Sequence, residues 1–156
     1  MGEFQGCPGS RMMAFNRSAP ATGEATVEMS SQLRQWPIQL HLVPPTAPFY
    51  RNADVLLTAD CVAYALGDFH HRFLKDKALA IACPKLDIAM PHLPKLTQLL
   101  KDARPRSVSV VRMEVPCCGG LTRMAQSAVA AAGTATPVTE IIIAIQGGVI
   151  QEAQVG

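Results

Sequence analysis

Ala78-Leu79-Ala80-Ile81-Ala82 is apolar at every position and ends on Cys83-Pro84-Lys85. A run of this length without a polar residue reads as a strand buried on both faces, the kind that occupies the middle of a parallel sheet. Strand-like runs recur on either side of it. Asp54 to Asp60, centred on Val55-Leu56-Leu57, leads into Cys61; Ser107 to Met113 precedes Cys117-Cys118; Thr139 to Ile145 is left by Gly147-Gly148. An earlier candidate, Ile38-Gln39-Leu40-His41-Leu42-Val43, is stopped by Pro44-Pro45.

Between these runs the period changes from strand to helix. Val62, Leu66, Phe69 and Phe73 fall on one helical face, as do Leu93, Leu96, Leu100 and Ala103. Gly119-Gly120 open a third stripe, Leu121, Met124, Ala125, Ala128, Val129 and Ala132, which Gly133 closes. Alternating strands and helices predict βαβ crossovers, and so an α/β fold: a Rossmann-like three-layer sandwich with a mainly parallel sheet of about five strands. The residues after Gly148 fit either a short edge strand over Val149-Ile150-Gln151 or a fraying end. Residues 14 to 31 have the composition of a linker, so the predicted organisation is a tail over 1–31 carrying Cys7 and one domain over 32–156.

Composition narrows the function. A chain of 156 residues with 49% hydrophobic content has enough apolar mass for one substantial core. Fourteen basic against twelve acidic residues, with 5% aromatics, argue against a charge-driven nucleic-acid surface. Apolar runs stay short of the roughly 18 residues of a membrane helix, and no secretory leader is legible, so the expected setting is the cytoplasm, with no membrane partner. A homo-oligomer is left open.

The cysteines carry the chemistry. Cys61, Cys83 and the pair Cys117-Cys118 each follow a predicted strand, and in open α/β sheets the carboxyl ends of the strands are where ligands bind. Cys61 and Cys117-Cys118 also precede predicted helices, whose N-termini favour thiolate. Five cysteines in a cytosolic chain fit metal binding or catalysis better than a disulfide framework. Adjacent Cys117 and Cys118 are poorly placed to bond to each other. His41, His70, His71 and His92 read as structural or solvated, and Asp60 and Asp87 as helix caps or partners of loop amides. Lys85 and Arg112 could screen a negative cluster or simply be surface charge. No strand leads into G-x-G-x-x-G or a P-loop, and no Ser-His-Asp grouping is legible.

Several motifs in order, Leu33-Arg34-Gln35-Trp36-Pro37, Ala59-Asp60-Cys61, Cys83-Pro84-Lys85-Leu86-Asp87 and Glu114-Val115-Pro116-Cys117-Cys118-Gly119-Gly120-Leu121, resemble a prokaryotic family of iron-sulfur cluster-binding proteins described as 4Fe-4S ferredoxins. The similar region follows that family's ferredoxin domain, whose close-spaced cysteine run this chain lacks. The resemblance implies an iron-sulfur cofactor, most simply 4Fe-4S, an electron-transfer role and a redox partner protein, carried over to Cys7, Cys61, Cys83, Cys117 and Cys118. The leading expectation is therefore a cluster held by Cys61, Cys83 and Cys117, with Cys118 or Cys7 as fourth ligand. The alternatives are a thiol enzyme or redox sensor, in which Cys117 or Cys118 forms a reversible disulfide with Cys83 or Cys61, a zinc site on the same thiols, and a structural partner-binding domain.

Overall fold

The computed structural model describes residues 12–14, 29–87 and 89–156. In chain order the strands are β1 (Met13–Ala14), β2 (Gln35–Trp36), β3 (Asp54–Ala59), β4 (Ala78–Ala82), β5 (Ser107–Met113), β6 (Val138–Ile143) and β7 (Val149–Gln154). The helices are α1 (Val62–Ala65), α2 (His92–Ala103) and α3 (Gly119–Ala132). β1 and β2 pair antiparallel, and the other five strands form one sheet in the order β4-β3-β5-β6-β7. β7 runs antiparallel to β6, and the rest are parallel. The chain thus adopts the α/β, Rossmann-like architecture that its sequence pattern predicts.

β3 is the strand about which the topology turns. It is followed by β4 on one side, after which the chain crosses back to β5 on the other, with Val55 level with both Ala78 and Val108. The steps from β4 to β5 and from β5 to β6 run in the same direction across the sheet. Right-handed crossovers therefore place α2 and α3 on one face, where they pack together, and send the β3-to-β4 connection to the other. Leu96, Leu99 and Leu100 of α2 and Leu121, Ala125 and Ala128 of α3 are buried in that packing. Each leucine there contributes about 2 kcal/mol of apolar burial.

Three expectations are corrected. The Ala78–Ala82 strand ends the ladder instead of lying in its middle, and its outer edge is closed by other means. The Gln35 side chain accepts from Leu79 N at 2.8 Å and donates to Leu79 O at 2.9 Å, acting as a one-residue strand. Further along, Leu40 N donates to Ile81 O and Ile81 N to Ile38 O, both at 2.8 Å. These bonds leave the strand buried although it is last in the order, so its apolar sequence misled about position and not about burial.

Second, residues 38–43 make no strand. Only Gln39 bridges to β4, after which Leu42 N and Val43 N both turn back to Gln39 O ahead of the two prolines. Third, the long helix expected after Cys61 is broken. α1 lasts four residues, Leu66 is extended, and a single wide turn follows over His70–Leu74. Val62, Leu66, Phe69 and Phe73 are all buried nonetheless, so the apolar spacing identified the inward face while Gly67 interrupted the helix. At the other end, β7 is a full strand to Gln154, reached through Gly147 and Gly148 at positive φ. The linker expected over 14–31 falls largely outside the described residues.

Candidate functional site at the carboxyl edge of the sheet

The strand order reverses at β3, and in flavodoxin-like sheets with the same order ligands bind beyond the carboxyl ends of the strands at that switch. Cys61 follows β3, Cys83 follows β4, and Cys117 and Cys118 form the short turn Pro116–Cys118 between β5 and α3. The loops after β4 and β5 touch directly. A Cβ at Gly120 would stand 3.1 Å from Pro84 Cβ, so glycine lets the first turn of α3 lie against the residue after Cys83 without displacing it.

Burial pushes the Cys118 thiol up, and the neighbouring Cys117 and Cys83 push it further, against a hydrogen bond with the Met113 backbone that pulls it down. Cys117 is exposed, Cys83 half-buried and Cys118 buried. The expectation that Cys117-Cys118 are both thiolates is therefore corrected for Cys118. It lies at a helix start, yet desolvation disfavours its charge more than the helix end favours it. Cys61 is exposed, at the start of a helix too short to carry a useful dipole. Cys7 lies outside the described residues.

The loop after Cys83 is ordered by residues that the sequence left in minor roles. Asp87 accepts from Cys83 N at 2.8 Å, Asp87 N donates back to Cys83 O at 2.8 Å, and the same carboxylate bonds His92 Nε2 at 3.1 Å. Leu86 N donates to Cys83 Sγ at 3.4 Å. Partial burial works to raise the Asp87 carboxyl, but the Cys83 amide and His92 outweigh it and hold the group below its ordinary value. Next to this pair, burial pushes the Asp60 carboxyl up, and the Asp87 charge adds to the effect. Asp60 Oδ1 and His92 Nδ1 are both buried without a partner among the described residues.

So Asp87 caps no helix; it clamps the Cys83 loop to α2. Asp60 does not cap α1 either, because no side-chain hydrogen bond caps that helix. His92, set aside as solvated or structural, is buried at the hub of the cluster. The signal that could have found it was its position five residues after Asp87, at the start of a predicted helix. Arg112 screens no thiol: it is bound to Glu140 at 2.7 Å, and Thr122 donates to the same oxygen at 2.7 Å. A further cation, Arg123, lies over the start of α3, its guanidinium 3.2 Å from the Cβ position of Gly119, the residue after Cys118.

Residues 47–155 match a Rossmann-like domain family, which spans the whole five-strand sheet and all three helices. The chain belongs to this Rossmann-like domain family. A relative from Archaeoglobus fulgidus, described as an uncharacterized protein, is 30% identical over 118 residues, 76% of this chain and 83% of its own. No solved structure matches. These findings overturn the resemblance to 4Fe-4S ferredoxins, because neither the family nor the relative points to a ferredoxin-type iron-sulfur protein. The physical reason is that Cys-Pro after a strand and Cys-Gly-Gly before a helix satisfy turn geometry at any such crossover. Among the described residues, no group of three or more His, Cys, Asp or Glu side chains is gathered so as to hold a metal ion.

Proposed function

We propose that the carboxyl edge is a dithiol-disulfide exchange site serving a redox partner protein. The observation that carries this reading is the approach of Gly120 to Pro84, which sets Cys83 and the Cys117-Cys118 turn side by side at the switch in strand order, close enough for both neighbours to act on the buried Cys118 thiol. Cys118 is held as a neutral, buried thiol, which leaves exposed Cys117 as the attacking group. Cys83 is the resolving group, since a bridge between adjacent Cys117 and Cys118 would have to close across a single peptide bond.

In this reading Cys117 Sγ, as thiolate, attacks one sulfur of the partner's disulfide. A mixed disulfide forms, the partner's S–S bond breaks, and its other sulfur leaves as thiolate. Cys83 Sγ then attacks Cys117 Sγ, giving Cys83–Cys117 and releasing the partner's second thiolate. Two electrons pass to the partner, and the protons given up by Cys83 and Cys117 end on its thiols. The rim suits a protein partner: Tyr64 is 96% exposed, Leu86 80% and Ile145 61%, all close to the carboxyl ends of the strands. Such exchange fits the cytoplasm, and no described helix is long and apolar enough to cross a membrane.

The test is equilibration in thiol-disulfide buffers spanning roughly −300 to −180 mV, followed by alkylation and peptide mass mapping. The expected result is a two-electron transition to Cys83–Cys117 while Cys61 stays alkylatable. Thiols that remain free across the range would overturn it. The iron-sulfur and zinc readings draw on the same thiols and stand second, because the described residues gather no set of three ligands. Iron, acid-labile sulfide and zinc analysis of anaerobically prepared protein separates them from thiol exchange.

A further inference from the structure

We propose that the opposite edge of the sheet, at the amino ends of β5 and β6, holds a second site, for a small phosphate-bearing molecule. A hollow of about 530 Å³ lies there between the C-terminal ends of α2 and α3. Its volume falls among those of small-molecule pockets, roughly 300–1,000 Å³. Lys101, Arg104 and Arg106 line it together with the hydroxyl residues Thr134 and Thr136, and no acidic side chain does.

Local sequence builds this wall. α2 ends at Ala103, and Arg104 takes a left-handed conformation at φ 45°, an unfavourable one for a side chain with a Cβ. The turn leads through Pro105 to Arg106 and so sets basic groups on both sides of one proline. α3 ends in the same manner at Gly133, φ 65°, and the chain returns through Thr134 and Thr136 to β6. Thr136 is 7% exposed, and its hydroxyl donates to Thr134 Oγ1 at 3.2 Å, leaving the Thr134 hydroxyl hydrogen free to donate into the hollow.

Charge decides which ligand class fits. Arg106 is committed to Asp54 at 2.7 Å, whereas Lys101 and Arg104 have no ion-pair partner among the described residues. Cations at helix C-termini partly offset the helix dipoles, and two helix ends supply about half a negative charge each. Two free cations against about one negative charge leave a surplus of about one positive charge facing the cavity. Asp54 is anionic, its carboxyl held below the ordinary value by hydrogen bonds from Arg106 and Ser107, and its charge is matched by Arg106 and not by Lys101 or Arg104. Further cations precede the neighbouring strands, Arg51 before β3 and Lys75 and Lys77 before β4. The proline and alanine walls beside the cations suit an apolar body joined to the anion, so the fit is a phosphate monoester of an organic molecule, with Lys101 and Arg104 closing on the phosphate.

The experiment is a titration of the full chain with AMP, adenosine and inorganic phosphate, followed by amide chemical shifts. AMP should shift the Thr134 to Thr136 and Arg104 to Arg106 amides saturably, with tighter binding than phosphate alone and none for adenosine. Lys101→Gln and Arg104→Gln should each weaken AMP about tenfold, and the pair together should abolish saturation. Arg104→Gly keeps the left-handed backbone and serves where the glutamine variant folds poorly. Cys117→Ser should bind AMP as the parent does, so loss of the thiol reading leaves this site standing. Equal binding of adenosine and AMP, or shifts unchanged in the double variant, would overturn the proposal.

Discussion

The two edges of one sheet differ in the kind of group their loops present. At the carboxyl edge Gly120 at the start of α3 meets Pro84 after β4, and of Cys83, Cys117, Cys118, Asp87 and His92 there, all but Cys117 are at least half-buried, with Asp87 hydrogen-bonded to both Cys83 and His92. At the amino edge the charged groups are cations, and Lys101 and Arg104 have no ion-pair partner among the described residues. The first edge is organised internally, by bonds that fix a reactive loop; the second is organised by surplus charge facing outward. Burial creates chemistry at one end, and exposure creates it at the other.

The largest expected effect falls on the strap that joins β5, β6 and α3 between these edges. Arg112→Ala strands the Glu140 carboxylate, 12% exposed, with Thr122 as its remaining donor, at a cost of about 3 kcal/mol. Burial works to raise the Glu140 carboxyl, but Thr122 and Arg112 outweigh it and hold the group below its ordinary value. A lowered folded pKa means that the stabilisation is present above the unfolded value, about 4.3, and is lost as pH falls through the folded one. Denaturant melts between pH 5 and 3 should therefore show a shallower loss of stability in Glu140→Gln than in the parent. An identical pH slope in the two proteins would remove the strap from the account.

Gly120→Val comes next. Its side chain meets Pro84, and the overpacking costs about 2 kcal/mol. The variant should close the Cys83–Cys117 disulfide more slowly while AMP binding at the far edge stays at the parent value. Loss of both activities together would show that the edges are not independent. Asp87→Asn should cost about 1 kcal/mol, because the amide keeps the shape and weakens the bonds to Cys83 N and His92. Alkylation of Cys83 should quicken in it, as followed by mass spectrometry. Smallest is Cys61→Ser, expected within about 0.5 kcal/mol of the parent and without effect on the redox transition. A changed redox midpoint in that variant would bring Cys61 back into the site.

The core was legible wherever burial alone sets the residue type. Val55, Leu56 and Leu57 of β3 and the Leu96, Leu100 and Ala103 stripe of α2 are buried as their spacing predicts. The outer edge of the sheet was not legible, because there a side chain substitutes for backbone. Gln35, polar and unremarkable in sequence, closes the outer edge of β4 in place of a strand, which is why 38–43 could turn away. The thiol site was legible as a set of strand-end cysteines, and the burial of Cys118 beside exposed Cys117 was not. Neither was the Asp87–His92 clamp, because two groups five residues apart across a proline meet only when the loop after β4 folds back onto α2.

By itself, the sequence determined the α/β class, the parallel strands and the placing of cysteine at their carboxyl ends, because the periods of 2 and 3.6 and the crossover rule act locally. Which thiols share a site was decided by tertiary structure alone. Cys61, Cys83, Cys117 and Cys118 all follow strands in the sequence, but only the close approach of Gly120 to Pro84 sets the Cys83 loop against the segment that carries Cys117 and Cys118. The basic hollow at the other edge is tertiary for the same reason: Lys101, Arg104 and Thr134 belong to different helix ends, and only the packing of α2 on α3 sets them around one cavity.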